Sequence, residues 1–241
     1  MAPPVDNEAL APWTDEFLLK VIHDIRAPLR KMYTRAQLLQ EGIGDLAEES
    51  RSHMAAILEA NRDADAFLTR LSEYFFCGSD WNGTNAIQIR FMISGVLARL
   101  SRQKGNCQVN VVLAELADVA APRRIENVLL ELLDNAFKFR KAAGVVVVTA
   151  TGNEKEYKFT IEDDGIGFDT KFRDLIVKPL ERLHPSSDYP GYGLGLAICT
   201  RLLEPLGGKL GMDSTPDRGT KAWFTLPRVT FSPSPAVTIS R

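Results

Sequence analysis

Residues 189–198 read YPGYGLGLAI. Gly191, Gly193 and Gly195 lead into GLAICTRLL, an apolar run with the length and texture of a helix. Glycines at such an entrance let backbone N–H groups approach phosphate oxygens. Two architectures built on this device do not fit. A dinucleotide fold needs a strand immediately before the glycines. Here HPSSDYP (184–190) precedes them, and its prolines exclude a central strand. A P-loop needs GxxxxGK followed by Ser or Thr, which the chain lacks. The glycines therefore take their meaning from other motifs.

Two such motifs lie upstream. ELLDNAFKF (131–139) sits on a helix whose apolar stripe is Ile125, Leu129, Leu132, Leu133 and Ala136. Glu131, Asn135 and Lys138 fall at i, i+4 and i+7, which gathers an acid, an amide and an amine on the polar face. Oxygen donors suit a hard cation such as Mg²⁺, and an ammonium offsets polyphosphate charge. A merely solvated face is the bland alternative. In IEDDGIGFD (161–169) a strand runs into two aspartates and then Gly165 and Gly167. Glycines there permit a ligand to approach the backbone, and a carboxylate can accept from an amino group. A calcium loop is excluded because its twelve-residue ligand spacing is missing.

The first half has a different texture. Thr14 is a predicted N-cap with Asp15 and Glu16 in the first turn. Leu18, Ile22, Ile25, Leu29, Met32, Ala36, Leu39 and Ile43 repeat at alternating spacings of 4 and 3, a heptad seam. EGIGDL breaks it, and Met54, Ile57, Asn61, Ala64, Leu68, Leu71 and Phe75 form a second seam. Two narrow-seamed helices make a poor core alone, so two hairpins are expected to pair into a dimeric four-helix bundle. Asn61 either fixes register in that seam or faces water at an irregularity.

The expected organisation is multidomain, α and then α+β. It runs from a disordered tail (1–13) through the hairpin (14–76) and a linker (77–86). An α/β sandwich domain (87–228), one layer of helices on a mixed sheet, and a second disordered tail (229–241) complete it. The net charge of −2 gives no electrostatic reason to expect nucleic acid. No apolar run is long enough for a transmembrane helix, and the start lacks signal-peptide order, so no membrane insertion and a cytoplasmic location are expected. Cys77, Cys107 and Cys199 read as free thiols.

Together the three motifs resemble the nucleotide-binding boxes of sensor histidine kinases, within the wider superfamily of Hsp90-like, gyrase-like and MutL-like ATPases. HDIRAPLRKM (23–32) is similar to the phosphoacceptor box of that family. NAFKFR, DDGIGFD and ERLHPSSDYPGYGLGLAI are most like its phytochrome-type branch, and the resemblance covers about residues 14–228. It implies an ATP- and Mg²⁺-dependent protein-histidine kinase of a two-component system. Its partners would be a second copy of the chain, a response-regulator receiver domain and a separate or missing sensor domain.

By the same resemblance His23 is the phosphorylated histidine and Asp24 the acid that polarises its ring. Asn135 would hold Mg²⁺, with Glu131 one turn before it, and Lys138 and Arg140 would lie on the phosphate side. Asp163 would accept from the adenine amino group above Gly165 and Gly167. Gly191, Gly193 and Gly195 would form the lid hinge, with Leu194 among the nucleotide-binding residues. STPDRGTKAWF (214–224) resembles the last box, whose Gly219 and Thr220 would lie near the nucleotide. An imidazole is mostly neutral near pH 7, which leaves one ring nitrogen free to attack phosphorus.

Pro28 removes an N–H that would bond the Asp24 carbonyl, so a kink beside His23 is expected. Several positions depart from the family pattern. Ala27 replaces the Thr or Asn that positions water for dephosphorylating the partner, which implies weak phosphatase activity. Leu180 replaces a Phe before the lid, and Ala120–Pro122 replaces a Gly-Asp-Pro-like turn. His53 reads as an exposed bundle residue and His184 as a lid residue. Arg26 and Arg30 read as a solvated face, with steering of phosphate or the receiver as the alternative. Two rival functions share the architecture: a phosphotransfer protein with a decayed ATP domain, and a regulatory pseudokinase.

Overall fold

The computed structural model describes residues 14–42, 48–77, 86–104, 108–112, 119–141, 144–185 and 188–228. The expected tails, most of the linker, the hairpin turn with Ile43, and Cys107 lie outside the described residues. The chain divides into two compact units, Met1–Phe76 and Cys77–Arg241.

The first unit is a helical hairpin of α1 (Asp15–Gly42) and α2 (Glu48–Phe76). Thr14 caps α1 as its sequence suggests: the N–H of Phe17 donates to Thr14 Oγ1 at 3.2 Å. Helix α1 continues through Pro28. The first heptad seam resolves into two faces seven residues apart. Ile22, Leu29 and Ala36 turn inward, with Ile22 and Ala36 fully buried, while Ile25, Met32 and Leu39 are exposed. On α2, Leu58, Asn61 and Leu68 are buried and Ile57 is exposed.

Asn61 does not face water: it is buried and bonded across to α1. Its amide donates from Nδ2 to the carbonyl oxygen of Leu29 on α1, at 2.9 Å. Arg26 corrects the expectation of a solvated face. It is half-buried and reaches α2, where Nη2 donates to Thr69 Oγ1 at 3.1 Å and Nε lies 3.0 Å from Asp65 Oδ1. The Nε contact is an ion pair without hydrogen-bond alignment.

The second unit is a five-stranded mixed sheet in the order β2-β4-β5-β7-β6. Its strands are β2 (Gln108–Val112), β4 (Val145–Gly152), β5 (Glu156–Asp163), β6 (Lys209–Thr215) and β7 (Gly219–Pro227). Among the described strands only β2 and β4 pair parallel. The β4–β5 hairpin turns at Asn153, whose Oδ1 accepts from the N–H groups of Lys155 and Glu156. Alternation puts Val146, Val148, Phe159, Ile161, Ala222 and Phe224 on one buried face, beneath α4 (Ile125–Phe139) and α6 (Gly195–Leu203). Between them in the chain α5 (Arg173–Ile176) is a single turn. Phe159 and Phe224 stack across β5 and β7 with centroids 4.9 Å apart. The α4 stripe is buried as its spacing predicts, with Val128 and Phe137 added. Truncating Leu129, Leu132 or Leu133 to alanine costs about 2–5 kcal/mol.

Helix α3 (Ile89–Lys104) packs beside α4. Ahead of it, β1 (Ala86–Gln88) pairs antiparallel with β3 (Ala120–Pro122). The segment expected to be a turn at Ala120–Pro122 is therefore a strand. A three-residue strand is too short for a period of two to register.

Candidate nucleotide site and phosphoacceptor helix

The polar face of α4 and the glycines before α6 come together. A Cβ at Gly195 would stand 2.5 Å from Glu131 Oε2, so the absent side chain leaves room for that carboxylate at the head of α6. A Cβ at Gly191 would stand 3.1 Å from Lys138 Nζ. Glu131 and Lys138, two turns apart on α4, thus each face one of the glycines that open α6. Asn135 lies between them, half-exposed. Its amide has no hydrogen-bond partner among the described residues.

Glycine is required in the approach to α6. Gly191 and Gly193 adopt φ of 145° and 69°. Gly193 O accepts from the N–H of Leu180 at 2.8 Å, and Leu180 itself has φ of 68°. A leucine held there stores about 1–3 kcal/mol of backbone strain. The loop is further tied by Arg182, whose Nη2 donates to Tyr189 O at 2.8 Å. Tyr189 and His184 pack on Phe139, with centroids 4.8 and 6.2 Å away. His184, expected in the lid, is an aromatic contact of Phe139 and Tyr189. Arg140, expected on the phosphate side, folds back onto its own helix end. Nη1 donates to Phe137 O and the guanidinium covers the Phe137 ring.

The opposite end of the site is built around Asp163, the last residue of β5. Its Oδ1 accepts from the N–H groups of Gly165 at 2.9 Å and Thr220 at 3.3 Å. Burial pushes its carboxyl above the ordinary value, against the lowering effect of those two bonds. The loop after it closes on α4, because Ile166 N–H donates to Phe139 O at 3.1 Å. Gly165 lies so close that a Cβ would overlap that carbonyl. Gly167 (φ 59°) and Gly219 (φ 91°) are equally hemmed in, by Thr215 O and Asp163 O. Ser214 on β6, the first residue of STPDRGTKAWF and given no role of its own in the sequence reading, joins this end. It touches Phe168, Gly219 and Thr220.

The donor set fits Mg²⁺. An amide oxygen and a carboxylate on adjacent turns are hard ligands, and Mg²⁺ takes one or two protein groups beside phosphate oxygens. Among the described residues no cluster of three or more His, Cys, Asp or Glu forms a protein-only metal cage.

On the hairpin, His23 and Asp24 are exposed, at 74% and 67%. Neighbouring residues of a helix do not normally face each other. Here His23 Nδ1 nevertheless lies 3.2 Å from Asp24 Oδ1. His53 is an exposed residue 3.9 Å from Glu49.

The fold is a two-layer α/β domain preceded in the chain by a histidine-bearing hairpin. Residues 120–230 match the family described as histidine kinase-, DNA gyrase B-, and HSP90-like ATPase. Cyanobacterial phytochrome A of Nostoc sp. is 26% identical over 215 residues, covering 88% of this chain and 28% of that protein. Sensor histidine kinase AruS of Pseudomonas aeruginosa is 29% identical over 226 residues, covering 87% and 22%. The chain thus spans about a quarter of the length of these relatives. The crystal structure of full-length ShkA in complex with AMPPNP superposes with a TM-score of 0.70 at 25% identity, covering 91% of this chain and 47% of that one. Over most of its length the chain is similar to sensor histidine kinases, and its residues 120–230 match the ATPase family. Among the described residues no helix is long and apolar enough to cross a membrane.

Proposed function

We propose that the chain is an ATP-dependent protein-histidine kinase that phosphorylates His23 and passes the phosphoryl group to an aspartate of a receiver domain. The observation that carries this reading is the His23–Asp24 contact on an exposed helix face. A carboxylate can only accept, so the pair holds the proton on Nδ1 and leaves the Nε2 lone pair free. Nε2 attacks the γ-phosphorus of ATP. The Nε2–P bond forms, the bond to the β,γ-bridging oxygen breaks, and ADP leaves. Asp24 stabilises the imidazolium that forms and takes its Nδ1 proton.

In the second unit Lys138 offsets phosphate charge beside Gly191, and Asp163 orients the base. Glu131 and Asn135 would hold Mg²⁺, which neutralises charge on the triphosphate when bound. ShkA's complex with AMPPNP supports an adenine nucleotide as the ligand. The exposed Ile25, Met32, Leu39 and Ile57 support a homodimer, because pairing two hairpins would bury them.

The test is incubation with γ-labelled MgATP. An acid-labile, alkali-stable label that disappears in His23→Ala is expected. Nucleotide binding without label would favour a pseudokinase, and labelling only from a phosphorylated receiver would favour a phosphotransfer protein.

A further inference from the structure

We propose that Ser214 sets the nucleobase selectivity of the site, by fixing the direction in which the Thr220 hydroxyl points its proton. The inference deepens the ATP-binding reading above and rests on it.

Ser214 is buried, with 9% of its surface exposed. Its Oγ has one hydrogen and two lone pairs. The N–H of Phe168 donates to it at 2.9 Å, which occupies one lone pair. The carbonyl oxygen of Gly219, also at 2.9 Å, can only accept, and takes the Ser214 proton. The second lone pair faces Thr220 Oγ1 at 3.0 Å, so that contact is filled by the proton of Thr220. The reverse arrangement, with the Ser214 proton on Thr220, would set two oxygens 2.9 Å apart with no hydrogen between them. A buried acceptor opposed in that way costs a full desolvation penalty.

The consequence reaches the base end of the site. Thr220 is the cross-strand partner of Asp163 in the β5–β7 register. Asp163 Oδ1 already accepts from Gly165 and Thr220 N–H groups, and an ionised carboxylate has no proton to give. With the Thr220 proton committed to Ser214, neighbouring groups on two strands offer only lone pairs. An exocyclic amino group, with two N–H donors, satisfies both. A keto oxygen at the same place meets lone pairs and is rejected.

The experiment compares equilibrium binding of ATP and inosine triphosphate, which replaces the amino group by a keto oxygen, to wild type and Ser214→Ala by calorimetry with Mg²⁺. Wild type is expected to prefer ATP. In Ser214→Ala the Thr220 proton is free to turn toward the ligand, and the preference falls about tenfold, the net worth of one hydrogen bond. A purely structural Ser214 would weaken both nucleotides together and leave the ratio within about twofold, and that result overturns the proposal. Thr220→Val provides a second reading should Ser214→Ala fail to fold. Loss of its acceptor narrows the ratio through weaker ATP binding, and an unchanged ratio counts against the proposal. Wild type that binds neither nucleotide removes the functional reading and this inference with it. Wild type that binds ATP while either variant keeps the ratio removes this inference alone.

Discussion

The amide of Asn61 on α2 donates to the backbone carbonyl of Leu29 on α1, at 2.9 Å and one residue beyond Pro28. A buried amide in an otherwise apolar seam costs stability relative to leucine but accepts only one alignment of the two helices. Asn61→Leu should therefore keep or raise the melting temperature of the hairpin while loosening its register. Native mass spectrometry and size-exclusion with light scattering should then show more than one oligomer. A single species matching wild type would mean that the contact does not specify register.

Arg26, three residues after His23, ties the same two helices through Asp65 and Thr69 on successive turns of α2. Both charges are partly solvated, so the ion pair contributes at the upper end of the surface range, about 1 kcal/mol. A double-mutant cycle with Arg26→Gln and Asp65→Asn should give a coupling of roughly 0.5–1 kcal/mol that shrinks in about 1 M salt. Arg26→Lys should not restore it, because an ammonium lacks the fork that reaches both partners. A coupling of zero at low salt would make Arg26 the solvated residue its sequence suggests.

These two contacts mark where the sequence stops being legible. Heptad spacing locates an apolar seam but does not say which of its two positions turns toward the other helix of the hairpin. Ile22 and Ile25 look alike in sequence, yet one is buried and the other exposed. Arg26 reads as solvent-facing because its partners lie on the other helix, and nothing local announces them. The α4 stripe was legible because its apolar spacing is local and strong. Strands β1 and β3 were not, because three residues carry no period. Gly165, Gly167 and Gly191 were legible as motif glycines, and their close approaches supply the physical reason. Ser214 opens STPDRGTKAWF, the segment that resembles the last box, but only Gly219 and Thr220 took a role from that resemblance; the Ser214 contacts form where β6, β7 and the loop after β5 meet.

Asp163 makes the site's demand on stability visible through pH. Burial raises its carboxyl above the ordinary aspartate value, so the folded chain binds this proton more tightly than the unfolded chain. Its contribution to stability is then greatest below the unfolded value. It declines as pH rises from there through the folded value, and is flat above. Above the folded value the ionised group is a net cost in the nucleotide-free protein. Asp163→Asn retains an oxygen to accept from Gly165 and Thr220. It should melt higher than wild type at pH 7, with the difference vanishing in acid. ATP affinity should fall about ten- to a hundredfold, the loss of one charge-assisted hydrogen bond. A variant less stable at pH 7 would show that the two backbone bonds outweigh burial.

The last prediction separates two glycines that the motifs treat alike. Gly165 stands against the backbone carbonyl of Phe139, which also receives the N–H of Ile166 at 3.1 Å. Backbone held in that way cannot yield, so Gly165→Ala should destabilise the domain by about 1–3 kcal/mol. Gly195 opens α6, and its added Cβ would meet the far end of the Glu131 side chain at 2.5 Å. That carboxylate can swing aside, and alanine favours the helix by up to about 1 kcal/mol. Gly195→Ala should therefore melt at or above the wild-type temperature and yet bind MgATP more weakly, because Glu131 is displaced from the face it shares with Asn135. Thermal melts paired with ATP titrations, with and without Mg²⁺, distinguish the two. If Gly195→Ala loses stability and binding together, Glu131 is held at the head of α6 for folding and not for the nucleotide.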